Sequence, residues 1–136
     1  MSEPQTEARQ ALLVRLFEAF NRHDADGVMA CFTPDIVFHA AAGPEANGRR
    51  LAGAEAVRAA FVATWTAMPD VSWQVRRHAV FGDRAVSEWL FRATAPDGGR
   101  IEAEGLDLFE FAGPLIAAKS AFRKDRPPIP PVQPAA

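Results

Sequence analysis

A chain of 136 residues and 14.8 kDa, 49% hydrophobic and 24% charged, has the composition of one globular domain, and a domain of this size buries about two thirds of the surface its unfolded form exposes. A formal net charge of −2 and a pI near 5.9 offer no field for nucleic acid or an anionic membrane, so neither is expected as a partner. A single cysteine, Cys31, excludes an internal disulfide and a thiolate metal cluster.

The opening "MSEPQTEARQ" is polar and acidic, without the basic and then apolar order of a signal peptide, and no apolar run is long enough to span a bilayer. A cytoplasmic location is therefore expected, with residues 1–8 as a flexible N-terminus. From residue 7 to about 21, Leu12, Leu13, Leu16, Phe17 and Phe20 form one apolar stripe of a first helix. "NRHDADG" breaks it, Asp24 is a candidate N-cap, and a short second helix carries Val28, Met29 and Phe32 toward "TPD". Cys31, among these residues, reads as a small buried hydrophobe. "IVFHA" is a short strand that runs into the loop "AAGPEANGRR". A third helix follows from Gly53 to about Ala67, with Val57, Ala60, Phe61, Thr64 and Trp65 on one side.

After Pro69 the period changes. "VSWQVRRHAVF", "RAVSEWLFRAT", "RIEAEGLDLFEF" and "LIAAKSAFRK" read as four consecutive strands joined by tight turns, hence antiparallel neighbours. The tail 125–136, "DRPPIPPVQPAA", is too rich in proline for a helix or a ladder and is expected to be an extended polyproline II-like or disordered end. Helices first and a strand meander second give an α+β plan: three helices packed in a strongly curved, mainly antiparallel sheet, a cone-shaped barrel whose interior is a natural small-molecule pocket.

Within "IEAEGLDLFEF", alternation places Asp107 on the face of Ile101, Ala103, Phe109 and Phe111, the most apolar side of the strand. A carboxyl group on an apolar wall is disfavoured in its charged form, so its pKa rises toward the range where it exchanges protons near neutral pH. The other role open to it is structural, paired with an arginine or backbone donors.

The segments "FEAFNRHDADGVMACFTPDIVFH", "GRRLAGAEAVRAAF" and "GRIEAEGLDLFEF", the last followed by a turn and "LIAAKSAFRK", resemble the SnoaL-like polyketide cyclases of the nuclear transport factor two-like superfamily, over about residues 9–124. The shared features are a helix ending in Asn-x-x-Asp, a Phe-x-x-Asp before the first strand, a Gly before the third helix, and Gly-x-Asp-x-Phe in the penultimate strand. The resemblance implies a cone-shaped, cystatin-like fold with a deep apolar cavity and a homodimer through the outer face of the sheet. It implies the acid/base role for Asp107. The ketosteroid isomerases of the superfamily are a poorer match: their base aspartate would fall at about Ala40 and their first-helix tyrosine at about Leu16. The epoxide hydrolase set would fall near Leu90, Glu88 and Ala121.

The expected activity is cofactor-independent acid/base chemistry, such as aldol ring closure, on a hydrophobic, carbonyl-bearing, polyketide-like molecule. The alternatives are a ligand-binding or accessory domain without catalysis, and an isomerase or dehydratase. His39, at the end of the first strand, is a second candidate acid/base or a structural histidine. Glu88 in "VSEWLF" is either a like-charge neighbour buried opposite Asp107 or the partner of an arginine such as Arg92 or Arg123. Trp65, Phe38, Phe61 and Phe109 are candidate substrate-binding residues; Trp73 and Trp89 are assigned to core or dimer packing. His78, between arginines, reads as solvated or interfacial. The absence of metal-spaced histidines, of a phosphate loop and of a nucleotide fingerprint leads us to expect no metal and no organic cofactor.

Overall fold

Ser2 accepts a hydrogen bond from the Gln5 amide and Pro4 sits in the first turn, where its missing N–H costs nothing, so α1 spans Glu3–Asn21 in the computed structural model, which describes residues 2–131. The helix thus reaches into the segment expected to be a flexible N-terminus. Its buried face holds Leu12, Leu13, Leu16, Phe17 and Phe20, together with Arg9. α2 is only Ala25–Met29, capped by the Asp24 carboxylate on the Gly27 amide. Phe32, expected on this helix, instead opens β1 (Phe32–His39), whose partner backbone at Ile116 already bonds the Cys31 carbonyl.

The remaining elements are β2 (Arg50–Ala52), α3 (Ala54–Ala67), β3 (Ser72–Phe81), β4 (Arg84–Thr94), β5 (Arg100–Ala112) and β6 (Leu115–Arg123). They complete an α+β fold whose strands form one curved sheet in the order β2-β1-β6-β5-β4-β3. The sheet is open, with β2 and β3 at its edges. All ladders are antiparallel except β1 against β6, which is parallel. β2 starts on Arg50, the last residue of the segment expected to be a loop, and ends just before Gly53, where the third helix was expected to begin; three residues are too few for a periodicity signal, and pairing with Val37–His39 creates it.

β4 shows the two faces of the sheet most cleanly. Ala85, Ser87, Trp89, Phe91 and Ala93 are buried against the helices, and the residues between them face away. On that outer face run the ion pairs Arg77–Glu88, Arg76–Glu104, Arg84–Glu110 and Arg92–Glu102, each exposed enough to contribute little stability. The core between sheet and helices is centred on Leu13, Leu16, Ile36, Val57, Phe109 and Ile116, none of them accessible to solvent.

Arg9 fastens α1 to the turns of the meander. Its guanidinium donates to the Gly82 carbonyl at 2.7 Å and the Gly113 carbonyl at 2.9 Å, and lies 5.0 Å from the centre of the Phe111 ring. The tail departs from expectation at one point: Ile129 and Arg100 exchange backbone hydrogen bonds of 2.7 and 2.8 Å. Ile129 is flanked by Pro128 and Pro130 and so supplies the one N–H available in that stretch. Positions 132–136 of the proline-rich tail lie outside the described residues. Among the described residues no helix is long and apolar enough to cross a membrane.

Candidate functional site

Asp107 sits mid-strand on β5 with small residues on both sides, Ser87 across the β4 ladder and Ala121 across the β6 ladder. The space they leave lets its carboxyl group reach the diagonal neighbours on each strand. One oxygen accepts the Trp89 indole N–H at 3.1 Å, and the other accepts the Lys119 ammonium at 2.9 Å. Asp107 is 1% exposed and is the one buried acid among the described residues; Lys119 is 5% exposed. Burial pushes the Asp107 carboxyl above its ordinary range, and the Lys119 charge and the two hydrogen bonds pull it back only in part.

Lys119 stands in an aromatic enclosure. Its nitrogen lies 4.8 Å from the ring centre of Phe38, 5.3 Å from Phe20 and 5.7 Å from Phe61. These rings attract the ammonium while keeping water away from it. The pair borders a cavity of about 290 Å³ in the concave face of the sheet. Phe38, Phe61, Trp65, Trp73 and Phe91 wall it, and Arg123, whose guanidinium lies 4.4 Å from the centre of the Phe91 ring, stands at one side. The result is a small apolar chamber with a buried acid and a buried ammonium in its wall, the kind of site in which one polar cluster orients a largely apolar ligand.

The other expected site residues divide. Phe38, Phe61 and Trp65 line the cavity; Phe109 does not, being wholly buried in edge-to-face contact with Phe17 at 6.3 Å. Glu88 is on the opposite face of the sheet, across from Leu106 and 3.4 Å from the Arg77 guanidinium, so the placement of Glu88 beside Asp107 is corrected. His39 also faces away: it neighbours the cavity residue Phe38, and its Nδ1 lies 3.2 Å from the Ser120 hydroxyl, itself adjacent to the inward Lys119. His78, expected to be solvated or interfacial, lies partly buried 2.7 Å from the Ser87 hydroxyl, and burial lowers its pKa.

Trp73 and Trp89, assigned by sequence to packing, both line the cavity, and Lys119 was not recognised at all. His23 was also missed. It adopts φ 57° after α1 and stacks on Trp65 with ring centres 5.4 Å apart, fixing the indole on the cavity wall. The Trp65 N–H is buried with no hydrogen-bond partner among the described residues.

Solved structures share this architecture. Bal32a, from a soil-derived mobile gene cassette, superposes with a TM-score of 0.80 at 19% identity over 89% of this chain and 92% of its own. A candidate SnoaL-like polyketide cyclase from Jannaschia sp. CCS1 gives 0.78 at 16% identity over 90% of each chain. TerC, co-crystallised with polyporic acid, gives 0.75 at 14% identity over 86% of this chain and 92% of its own. At such identities these likenesses establish the fold. No curated protein matches the sequence. The model of the SnoaL-like domain family matches residues 13–119, which include the aromatic enclosure, Asp107 and Lys119. The chain belongs to the SnoaL-like domain family.

Proposed function

We propose that the chain binds a hydrophobic, carbonyl-bearing, polyketide-like molecule in the aromatic chamber and carries out acid/base chemistry on it, such as aldol ring closure. The observation that carries this reading is the single buried acid of the described residues set in the wall of an apolar cavity. In the ring closure, the Asp107 carboxylate removes a proton alpha to a carbonyl. The resulting enolate carbon attacks a second carbonyl of the same chain, and the carboxylic acid returns the proton to the new alkoxide. Holding the two ends together accounts for much of the rate, on the order of 7–11 kcal/mol for well-oriented intramolecular reactions. The Jannaschia neighbour, by its description a candidate polyketide cyclase, supports this reading.

A second reading, a binding domain without catalysis, is favoured by a different observation. Both Asp107 oxygens already accept hydrogen bonds, from Trp89 and Lys119. An isomerase or dehydratase that relies on His39 or Glu88 has no such support, because both face the other side of the sheet. The two surviving readings separate in one experiment. A panel of linear and aromatic polyketide-like ketones is incubated with wild type and Asp107→Asn, following product by chromatography and binding by tryptophan fluorescence. Turnover lost with affinity retained supports the enzyme; binding without turnover in either protein supports the binding domain.

The same reading includes a homodimer through the outer face and a cytoplasmic location. Phe122, 55% exposed and paired with Leu106 on that face, supports the dimer.

A further inference from the structure

We infer that Lys119 is a catalytic residue that receives the substrate's carbonyl oxygen and carries the negative charge that develops there when Asp107 removes the neighbouring proton. This rests on the reading above and assigns the second half of the chemistry, which Asp107 alone does not supply. A protonated lysine has three N–H donors. Among the described residues one of them has an acceptor, Asp107, at 2.9 Å. The rest of the ammonium meets the rings of Phe20, Phe38 and Phe61, which draw the charge but are poor substitutes for an oxygen lone pair.

A lysine serving only as a counter-ion for a buried acid would be enclosed on every side by packing. Lys119 instead borders the cavity beside its partner. An oxygen entering the chamber is the acceptor that the ammonium lacks. Acid and ammonium are then in hydrogen-bond contact with each other and adjacent to one substrate fragment, the carbonyl oxygen at Lys119 and the alpha hydrogen at Asp107.

The step balances without an added reagent. Asp107 gains the alpha proton, the C–H electron pair becomes the enolate π bond, and the carbonyl π pair moves onto the oxygen held by Lys119. On attack at the second carbonyl the C–C bond forms, the first carbonyl is restored, and the new alkoxide takes the proton from Asp107. A preorganised cation at the developing charge, in a largely apolar site, is among the more effective devices for lowering such a barrier.

The test uses a probe whose oxygen imitates the enolate and whose protonation can be seen. 2-Naphthol has distinct absorption and emission bands for its neutral and ionised forms, and its two fused rings suit an aromatic chamber. It is titrated with pH when bound to wild type, to Asp107→Asn, and to the double variant Asp107→Asn/Lys119→Met, which leaves no unpaired charge buried. The expected result is that the ionised band appears at lower pH on wild type and Asp107→Asn than in water. In the double variant the shift is lost and affinity falls on the order of tenfold or more, the size of one hydrogen bond to a charged group. Binding to all three proteins with the same ionisation overturns the role of Lys119 and leaves the cavity reading intact. Failure of 2-naphthol to bind any of them overturns both.

Discussion

Gly105 lies directly across the β4–β5 ladder from Trp89, and the edge of the indole fills the space that a Gly105 side chain would occupy. A Cβ built there would come within 2.5 and 2.6 Å of two carbons of the Trp89 six-membered ring and would also press on the Phe122 carbonyl. The Gly of Gly-x-Asp is therefore explained by the group two residues on: it seats the indole whose N–H Asp107 accepts.

Gly105→Ala is accordingly expected to move Trp89 and break its hydrogen bond to Asp107. Overpacking of this kind costs about 1–3 kcal/mol, offset slightly by the lower entropy of the unfolded chain. Urea unfolding measures the loss, and the Trp89 indole N–H resonance in a nitrogen-labelled sample reports the bond. An unchanged indole resonance in a folded Gly105→Ala protein would show that the ring does not depend on this glycine.

The Asp107–Lys119 pair is expected to be costly to break and inexpensive to remove. Lys119→Met leaves an acid that is 1% exposed without its counter-charge, a change that destabilises by about 3–5 kcal/mol. Asp107→Leu/Lys119→Met removes both charges and replaces them with apolar volume, which is often neutral or stabilising. Urea unfolding of the two variants at neutral pH should therefore place the double variant above the single one. The opposite order would mean that the pair is a net source of stability and not a functional element carried at some cost.

Stability should respond to pH through Asp107 with a sign opposite to that of an ordinary surface acid. Burial makes the folded chain hold this proton to a higher pH than the unfolded chain, whose value is about 3.9. Between those two values the folded state binds more protons, so stability falls as pH rises. The contribution is complete below the unfolded pKa and lost on passing the folded one. Asp70 behaves in the reverse sense, because the Thr94 amide and hydroxyl hold its carboxyl below the usual range. Its contribution is present above the unfolded pKa and lost as pH falls through the folded one. Subtracting the unfolding free energy of Asp107→Asn from that of wild type should give a curve that declines with pH, and subtracting that of Asp70→Asn a curve that rises. A rising curve for Asp107 would mean that Lys119 outweighs burial.

How much of this the sequence reveals depends on where the strand period holds. On β5 it holds around the acid, so the alternation of Ala103, Asp107, Phe109 and Phe111 correctly places Asp107 on the buried face. On β6 it does not. The register shifts between Glu110 and Phe111, so Ile116 and Lys119, which differ by an odd number of positions, are both buried. Strict alternation from Ile116 would have turned Lys119 outward, and no local residue signals the irregularity. A similar shift between Val75 and Arg77 brings both Trp73 and His78 to the inner side of β3. Glu88 was misplaced for another reason: Val86 and Leu90, its apolar companions, cover the outer face. Apolar neighbours identify a shared face without saying which one is the core.

Arg9 gives the last prediction, and it concerns the end of the sheet away from the chamber. The turns at Gly82 and Gly113 close the β3–β4 and β5–β6 hairpins, whereas Trp73 and Arg123 of the cavity lie at the other ends of those strands. One guanidinium spans both turn carbonyls and anchors the first half of α1 to them. A lysine, a compact charge without the planar fork of a guanidinium, matches the fixed spacing of the two carbonyls less well. Arg9→Met should therefore cost about 2–3 kcal/mol, in the range of hydrogen bonds to a charged donor, and Arg9→Lys should recover less than half of it. Because the loss is confined to one end, amide hydrogen exchange should quicken in the first turns of α1 and around residues 82 and 113. Ligand affinity in the chamber should stay at its wild-type value. Faster exchange across β5 and weakened binding would instead mean that the two ends of the sheet are coupled and that α1 helps to hold the chamber's shape.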